Sequence, residues 1–317
     1  MSATALRDAP GGAPSALASA PGTGVRRLKN NLATVLVTGA FAVAMIPLVW
    51  LIWTVVTKGW RTLMSADWWT GDQRGIDFKH GGGGVLHAII GTGEQVLLCS
   101  IISVPVAVLV GIYLVEYGRG PIARLTTFMV DILSGLPSIV AALFIYAVFI
   151  TTFGGQRAGY LVSLALVMLM IPVIVRTTEE MLKLVPNELR EASYALGVPK
   201  WKTIVKIVLP TASSGIITGI VLGVARVAGE TAPLLILVGY NVNRNSDLFS
   251  GFQGSLPGMI YNQIGNLGNT TTLVNGKRTQ VHFAADRMWG TALTLVLIIL
   301  ALNLLARLVS RRSKLPS

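Results

Sequence analysis

The sequence predicts an all-α membrane protein with six transmembrane helices. Three observations carry that prediction. Hydrophobic residues make up 52% of the 317 positions and charged residues 13%, about half the usual quarter, and the mean hydropathy is +0.65. The apolar residues gather in six runs of 18 or more. Such runs suit a bilayer crossing of about 20 residues and are too long for the ~10-residue alternating strands of a barrel, and lipid demands that the backbone satisfy itself within a helix. Finally, the net charge of +12, from 26 Lys+Arg and 14 Asp+Glu, sits almost wholly between the runs. That distribution reads as basic membrane-flanking loops, with a lipid bilayer and no nucleic acid as the partner.

The elements follow in order. Residues 1–29 are an Ala/Gly/Pro-rich tail without periodicity that ends in Arg26, Arg27 and Lys29. It has too little apolar surface to offset the cost of ordering and is expected to be disordered. Residues 30–309 form the membrane domain, and 310–317 a basic tail. The expected spans are about 32–56, 88–115, 122–152, 158–175, 205–239 and 288–306. Asn30–Thr57 carries no charge over 28 residues, well beyond the roughly 7–15 of a signal-peptide core, so it is read as an uncleaved span.

Six spans put both termini on one side. The segments on that side hold 16 Lys and Arg against 9 on the other, which makes it the cytoplasmic side. Outside, residues 57–85 hold Trp60, Trp68 and Trp69, which suit the headgroup region, and the run Gly81–Gly84. Residues 241–287 read as a polar Asn/Gly/Thr loop, with a short helix over Leu256–Gln263. Asn269-Thr270-Thr271 matches a glycosylation acceptor and is read as part of that loop.

Catalytic chemistry finds no foothold. Cys99 is the single cysteine, so disulfides within the chain and cysteine-based metal sites are excluded. His80, His87 and His282 form no H-E-x-x-H and are read as interfacial polar residues; no metal site is expected. There is no G-x-S-x-G. Gly276-Lys277-Arg278 lacks the upstream glycine and the Ser/Thr of a phosphate-binding loop. The chain is therefore not an enzyme, and its energy must come from another protein or an ion gradient.

The segment 176–206 is the most informative part of the cytoplasmic side. Asn187 is placed to cap a helix, with Glu188 and Glu191 near its positive end. Gly197 stands where a left-handed residue ends a helix, and Pro199 blocks continuation. The result is a helix over 187–197, about 15 Å long, with Leu189, Ala192, Ser193 and Leu196 on one narrow face. That face suits a groove on a partner, or packing on the chain's own bundle. Glu191-Ala192-Ser193, then Gly197, then Ile207-Val208-Leu209-Pro210 resembles the EAA motif of membrane subunits of binding-protein-dependent ABC importers, with Ser193 replacing the second Ala. The resemblance implies a coupling helix that docks on a separate ATPase.

Arg226 and Glu230 lie inside the fifth span, where an unpaired charge costs about 2.5–3.5 kcal/mol. Spaced four apart, they can pair along one helix face. Two readings stand: they neutralise each other, or Arg226 offers its donor fork to an oxyanion while Glu230 fixes it. Gly215, Gly219 and Gly223 precede them at intervals of four, a face that lets another helix approach closely. Asp131, in the third span, is read as a buried structural partner or a pathway residue, and Pro137 and Pro172 as kinks.

Ala225-Arg226-Val227-Ala228-Gly229-Glu230-Thr231-Ala232-Pro233-Leu234-Leu235 resembles the A-R-x-x-G-E-T-A-P-L-L stretch of PstA-type permeases of the phosphate ABC transporter. Asp131–Val140 and Ala88–Thr92 agree with the same family. The resemblance covers about residues 30–309. It implies the six-helix type I (MetI-like) importer fold, with Arg226, Glu230 and Thr231 on the substrate pathway and Glu191, Ala192, Ser193 and Gly197 at the ATPase contact. It further implies a PstC-type second permease, a PstB-type ATPase dimer that holds ATP and Mg, a PstS-type phosphate-binding protein outside, and a bacterial cell membrane. The alternatives are an ABC permease for another oxyanion, such as sulfate or molybdate, and an ion-driven carrier or channel.

Overall fold

The computed structural model describes residues 23–76, 80–267, 270–274 and 277–312. The residues before 23, Asn269 and residues 313–317 lie outside them. The chain divides at Thr54/Val55. The N-terminal unit consists of the first part of α1 (Thr23–Leu63), with Leu36, Phe41 and Trp50 exposed. An apolar rod of this kind is stable where lipid, not water, surrounds it.

The second unit begins at Val55, with the end of α1 and a short α2 (Ala66–Thr70). Next comes α3 (Leu86–Ile112), which ends in a π-helical turn at Tyr113–Tyr117. The third apolar run departs from the single span expected. It is broken into α4 (Pro121–Ser134) and α5 (Ser138–Ile145, extended by a π turn at Tyr146–Thr152), bent by 107°. Gly135 ends α4, and Pro137 precedes α5 in an extended conformation. Proline keeps the residue before it out of the helical region, so the run cannot continue straight.

At the centre lies α6 (Gly159–Lys183), whose apolar side chains are largely buried. It packs against α3, α4 and α5. The short helix α7 (Asn187–Ala195) follows, then α8 (Lys200–Thr203), a π turn at Ile204–Val208 and α9 (Leu209–Ala228). The fifth run also departs from one continuous span. Gly229 ends α9 and a separate α10 (Ala232–Leu237) follows. Beyond it are α11 (Leu256–Gly265), strands β1 (Thr270–Val274) and β2 (Lys277–Val281), and α12 (Phe283–Arg312). The strands form an antiparallel hairpin with Thr270 opposite Val281, where a polar loop was expected. Among the described residues, five helices are long and apolar enough to cross a membrane, or six if the bent α4–α5 pair is one span.

The glycine face of α9 meets α6 of the same chain. A Cβ at Gly215 would collide with Met181, and one at Gly219 with Thr177; at Gly223 it would come within 3.3 Å of Ile174. Two outer expectations change as well. Trp68 is not interfacial but buried, donating its indole N–H to Thr294 at 3.1 Å. His87 is also buried, 2.8 Å from the Tyr240 hydroxyl, which in turn donates to Gln73 Oε1 at 3.2 Å.

Candidate functional site: an exposed short helix and an arginine-lined cavity

Two places gather the residues that the sequence singles out. The first is α7. Its N-cap is Pro186, without a side-chain cap. Asn187 is the first helical residue, and its Oδ1 accepts from Arg190 at 3.3 Å, so the capping role expected of it is not filled. At the other end Gly197 adopts φ +74°. Its N–H reaches the Tyr194 carbonyl at 2.9 Å, and the Val198 N–H reaches that of Ser193 at 3.2 Å. This is a Schellman closure, which a residue with a Cβ would strain.

The four residues expected on one face divide. Leu189, Ala192 and Leu196 are exposed, Leu196 to 83%, and so are Glu191 and Tyr194. Ser193 instead turns inward, its hydroxyl 2.8 Å from that of Thr203. It holds α7 to α8 and offers nothing to a partner. Beneath α7 lies a small apolar cluster of Leu182, Val185, Val208, Ala212 and Ile216.

Two residues the sequence did not single out anchor this end. Arg190 and Glu116 form an ion pair at 3.0 Å, with side chains 13% and 6% exposed. They stand 74 positions apart, and no local spacing signals such a pair. Arg190 also donates to the carbonyls of Val185 at 2.7 Å and Leu182 at 2.9 Å. Leu182 belongs to the last turn of α6 and Val185 to the link that follows it.

The second place is a cavity of about 220 Å³ lined by Leu133 and Ser134 of α4, by Leu169, Pro172, Val173, Arg176 and Thr177 of α6, and by Arg226 of α9. Arg226 and Glu230 do not pair. The ion pairs Arg176–Asp131, Arg176–Glu179 and Lys183–Glu179 lie near the cavity, and none includes Arg226. Of the two readings, mutual neutralisation fails because α9 stops at Gly229, so Glu230 is not one helical turn above Arg226. Glu230 is half-buried, and Thr231 occupies the N-cap of α10 without a side-chain cap.

Asp131 is not buried as a structural partner would be; its side chain is 58% exposed and bonds Arg176. Arg176, which the sequence places at the start of the inner segment, lies within α6 and shares the cavity with Arg226. Its signal was Arg176 followed by Glu179, spaced three apart after an apolar run; they pair at 2.8 Å. Among the described residues, no cluster of three His, Cys, Asp or Glu could hold a metal ion. What the cavity offers is the planar guanidinium of Arg226, a donor fork suited to an oxyanion; Arg176 beside it is engaged by Asp131 and Glu179, and the Ser134 and Thr177 hydroxyls already donate to the Val130 and Val173 carbonyls.

Comparisons with known proteins show the family. The chain is 49% identical over 295 residues to the phosphate transport system permease protein PstA 1 of Mycobacterium tuberculosis, covering 92% of each chain. It is 50% identical to PstA of Mycobacterium leprae over 88% of each chain. With PstA of Yersinia pestis the identity is 38%, over 91% of this chain and 92% of that one. Among solved structures, a chain of a bacterial alginate ABC transporter matches with TM-score 0.60 at 13% identity, covering 92% of this chain and 97% of that one. A chain of the inward-facing MetNI methionine ABC transporter matches with TM-score 0.53 at 20% identity, covering 73% and 94%. These two likenesses speak for the fold alone. Residues 103–315 match the model of the binding-protein-dependent transport system inner membrane component. With its membrane-crossing helices and that match over two thirds of its length, the chain belongs to this family of multi-pass transporter components.

Proposed function

We propose that the chain is the permease subunit of an ATP-driven importer of inorganic phosphate and forms half of its translocation pathway. The observation that carries the reading is near-half identity, over nine tenths of the length, to permeases named for phosphate transport. The cavity chemistry supports it, since Arg226 carries a guanidinium into a space that Arg176, Ser134 and Thr177 also line. The chain hydrolyses nothing. A PstB-type ATPase dimer holds ATP and Mg, a PstC-type permease completes the pathway, and a PstS-type protein delivers phosphate from outside. The Lys/Arg asymmetry puts both termini on the cytoplasmic side of a bacterial plasma membrane.

In this reading, closure of the ATPase dimer pushes the exposed face of α7, through Glu191, Ala192 and Leu196, while Gly197 and Ser193 hold the helix in shape. The push tips α6 and α9, and phosphate passes Arg226, with Glu230 and Thr231 lining the path just beyond. One guanidinium fork does not separate phosphate from sulfate, so the external binding protein does most of the selecting.

The test is uptake of radiolabelled phosphate, with sulfate as competitor, in cells expressing Arg226→Ala or Glu230→Gln at matched levels. Uptake is expected to collapse in the first and to fall in the second. Wild-type uptake in both rejects the pathway assignment. Gly197→Asp is expected to lose ATPase on co-purification; full retention together with normal uptake rejects the docking assignment.

A further inference from the structure

We propose that Arg190 is the strut through which movement of α7 reaches the transmembrane bundle, with Glu116 as its footing. The proposal rests on the reading of α7 as the ATPase-docking helix. It adds which side chain carries the motion and where it goes.

The geometry leaves α7 few attachments. Of its nine residues, Arg190 and Ser193 alone turn inward; the other seven are exposed. Ser193 makes a single neutral hydroxyl contact with Thr203. Arg190 makes a fan of contacts. Its Nε and Nη2 donate to Glu116 Oε1 at 3.1 and 3.0 Å, Nη2 also to the Leu182 carbonyl at 2.9 Å, and Nη1 to the Val185 carbonyl at 2.7 Å and to Asn187 Oδ1 at 3.3 Å. A guanidinium has five N–H donors in a fixed plane. Using them on the π turn, on the last turn of α6 and on the link after it fixes the position and angle of α7 relative to both helices.

The footing is built to match. Glu116 lies in the π turn that ends α3, and its own carbonyl accepts from Lys200 of α8, whose ammonium also sits 4.6 Å from the centre of the Tyr117 ring. One carboxylate residue therefore joins α3, α7 and α8, while Arg190 joins α7 to α6. Leu182 is six residues beyond Arg176 on α6, about 9 Å of helix rise from the cavity lining. A displacement of α7 passes through Arg190 into the helix that carries Arg176 and Thr177.

The experiment uses the complete complex, with ATPase, both permeases and binding protein, reconstituted in liposomes. It compares phosphate moved per ATP hydrolysed in the wild type, Arg190→Lys and Glu116→Gln. Arg190→Lys keeps a cation beside Glu116, which protects folding, but a single ammonium cannot span Glu116 and the carbonyls of Leu182 and Val185. The expected result is ATPase co-purifying at wild-type stoichiometry, hydrolysis retained, and phosphate per ATP lower by about tenfold, the size of a lost coupling free energy.

An unchanged ratio in both variants overturns the strut. So does a proportional fall of hydrolysis and uptake together with a lowered melting temperature, because a merely structural pair behaves that way. If the wild-type complex itself retains no ATPase or moves no phosphate, the proposed function falls and takes the strut with it. That outcome is distinct from the first two, which leave the wild type intact.

Discussion

Arg190 and Arg226 are the same side chain under opposite treatment. Arg190 is nearly enclosed, paired with Glu116 and bonded to the carbonyls of Leu182 and Val185. Arg226 is exposed to a cavity and stands outside every ion pair described near it. A buried charge is tolerated only when its donors are spent, and then it holds elements together. A charge whose donors are unspent, in the last turn of a membrane-crossing helix and facing a cavity, is an offer to a ligand. The difference separates a fastener from a contact, and each predicts its own failure.

The largest effect belongs to the contact. Arg226→Ala should reduce phosphate uptake by about ten- to a hundredfold, the worth of one or two charge-assisted hydrogen bonds, while the complex stays assembled. Arg226→Lys, with charge but no fork, should fall between. If Lys restores full uptake, the cavity needs only a positive charge and the contrast loosens.

The fastener should fail differently. Arg190→Ala leaves Glu116 buried and unpaired and should cost about 3–5 kcal/mol of stability, seen as a lower melting temperature of the solubilised complex. A melting temperature equal to the wild type would make Arg190 no more than a surface residue. Next is Gly219→Leu, which drives a side chain into Thr177. Overpacking of this kind costs about 1–3 kcal/mol, and the readout is protease resistance of the α6–α9 region in membranes.

The smallest effect extends the contrast to an anion. Asp247, in the loop after α10, accepts from the Ser250 hydroxyl at 2.5 Å and the Phe249 N–H at 2.9 Å. These bonds hold its carboxyl below the usual carboxylate range. Its contribution is therefore complete above the unfolded value near 3.9 and is lost as pH falls through the lowered folded value. Because the group is fully exposed, the loss should stay local, as faster hydrogen exchange at Phe249 in acid with no change in uptake at neutral pH.

The two regions also differ in how far the sequence reveals them. The apolar runs, the turn at Gly197 and Pro199 and the glycines of α9 are local patterns, and the structure places helices, a positive-φ glycine and a tight helix crossing on them. The Arg226–Glu230 spacing looked like a helical pair because the apolar run continues past it; Gly229 and Pro233 were the local signs that the helix stops. The break between α4 and α5 was likewise written in Gly135 and Pro137 but hidden in an apolar run. Arg190–Glu116 had no local sign, because its partners come from distant parts of the chain and meet only when α7 packs beneath α3 and α6.

The glycine seam between α9 and α6 has a further consequence. Gly215 lies against Met181 and Gly219 against Thr177 with no room for a methyl group, so neither helix can slide along the other without a clash. They must travel as one plank, carrying Arg176 and Arg226 at a constant separation. A push on α7 then swings those two cations together past the other walls of the passage, as a door carries both of its handles.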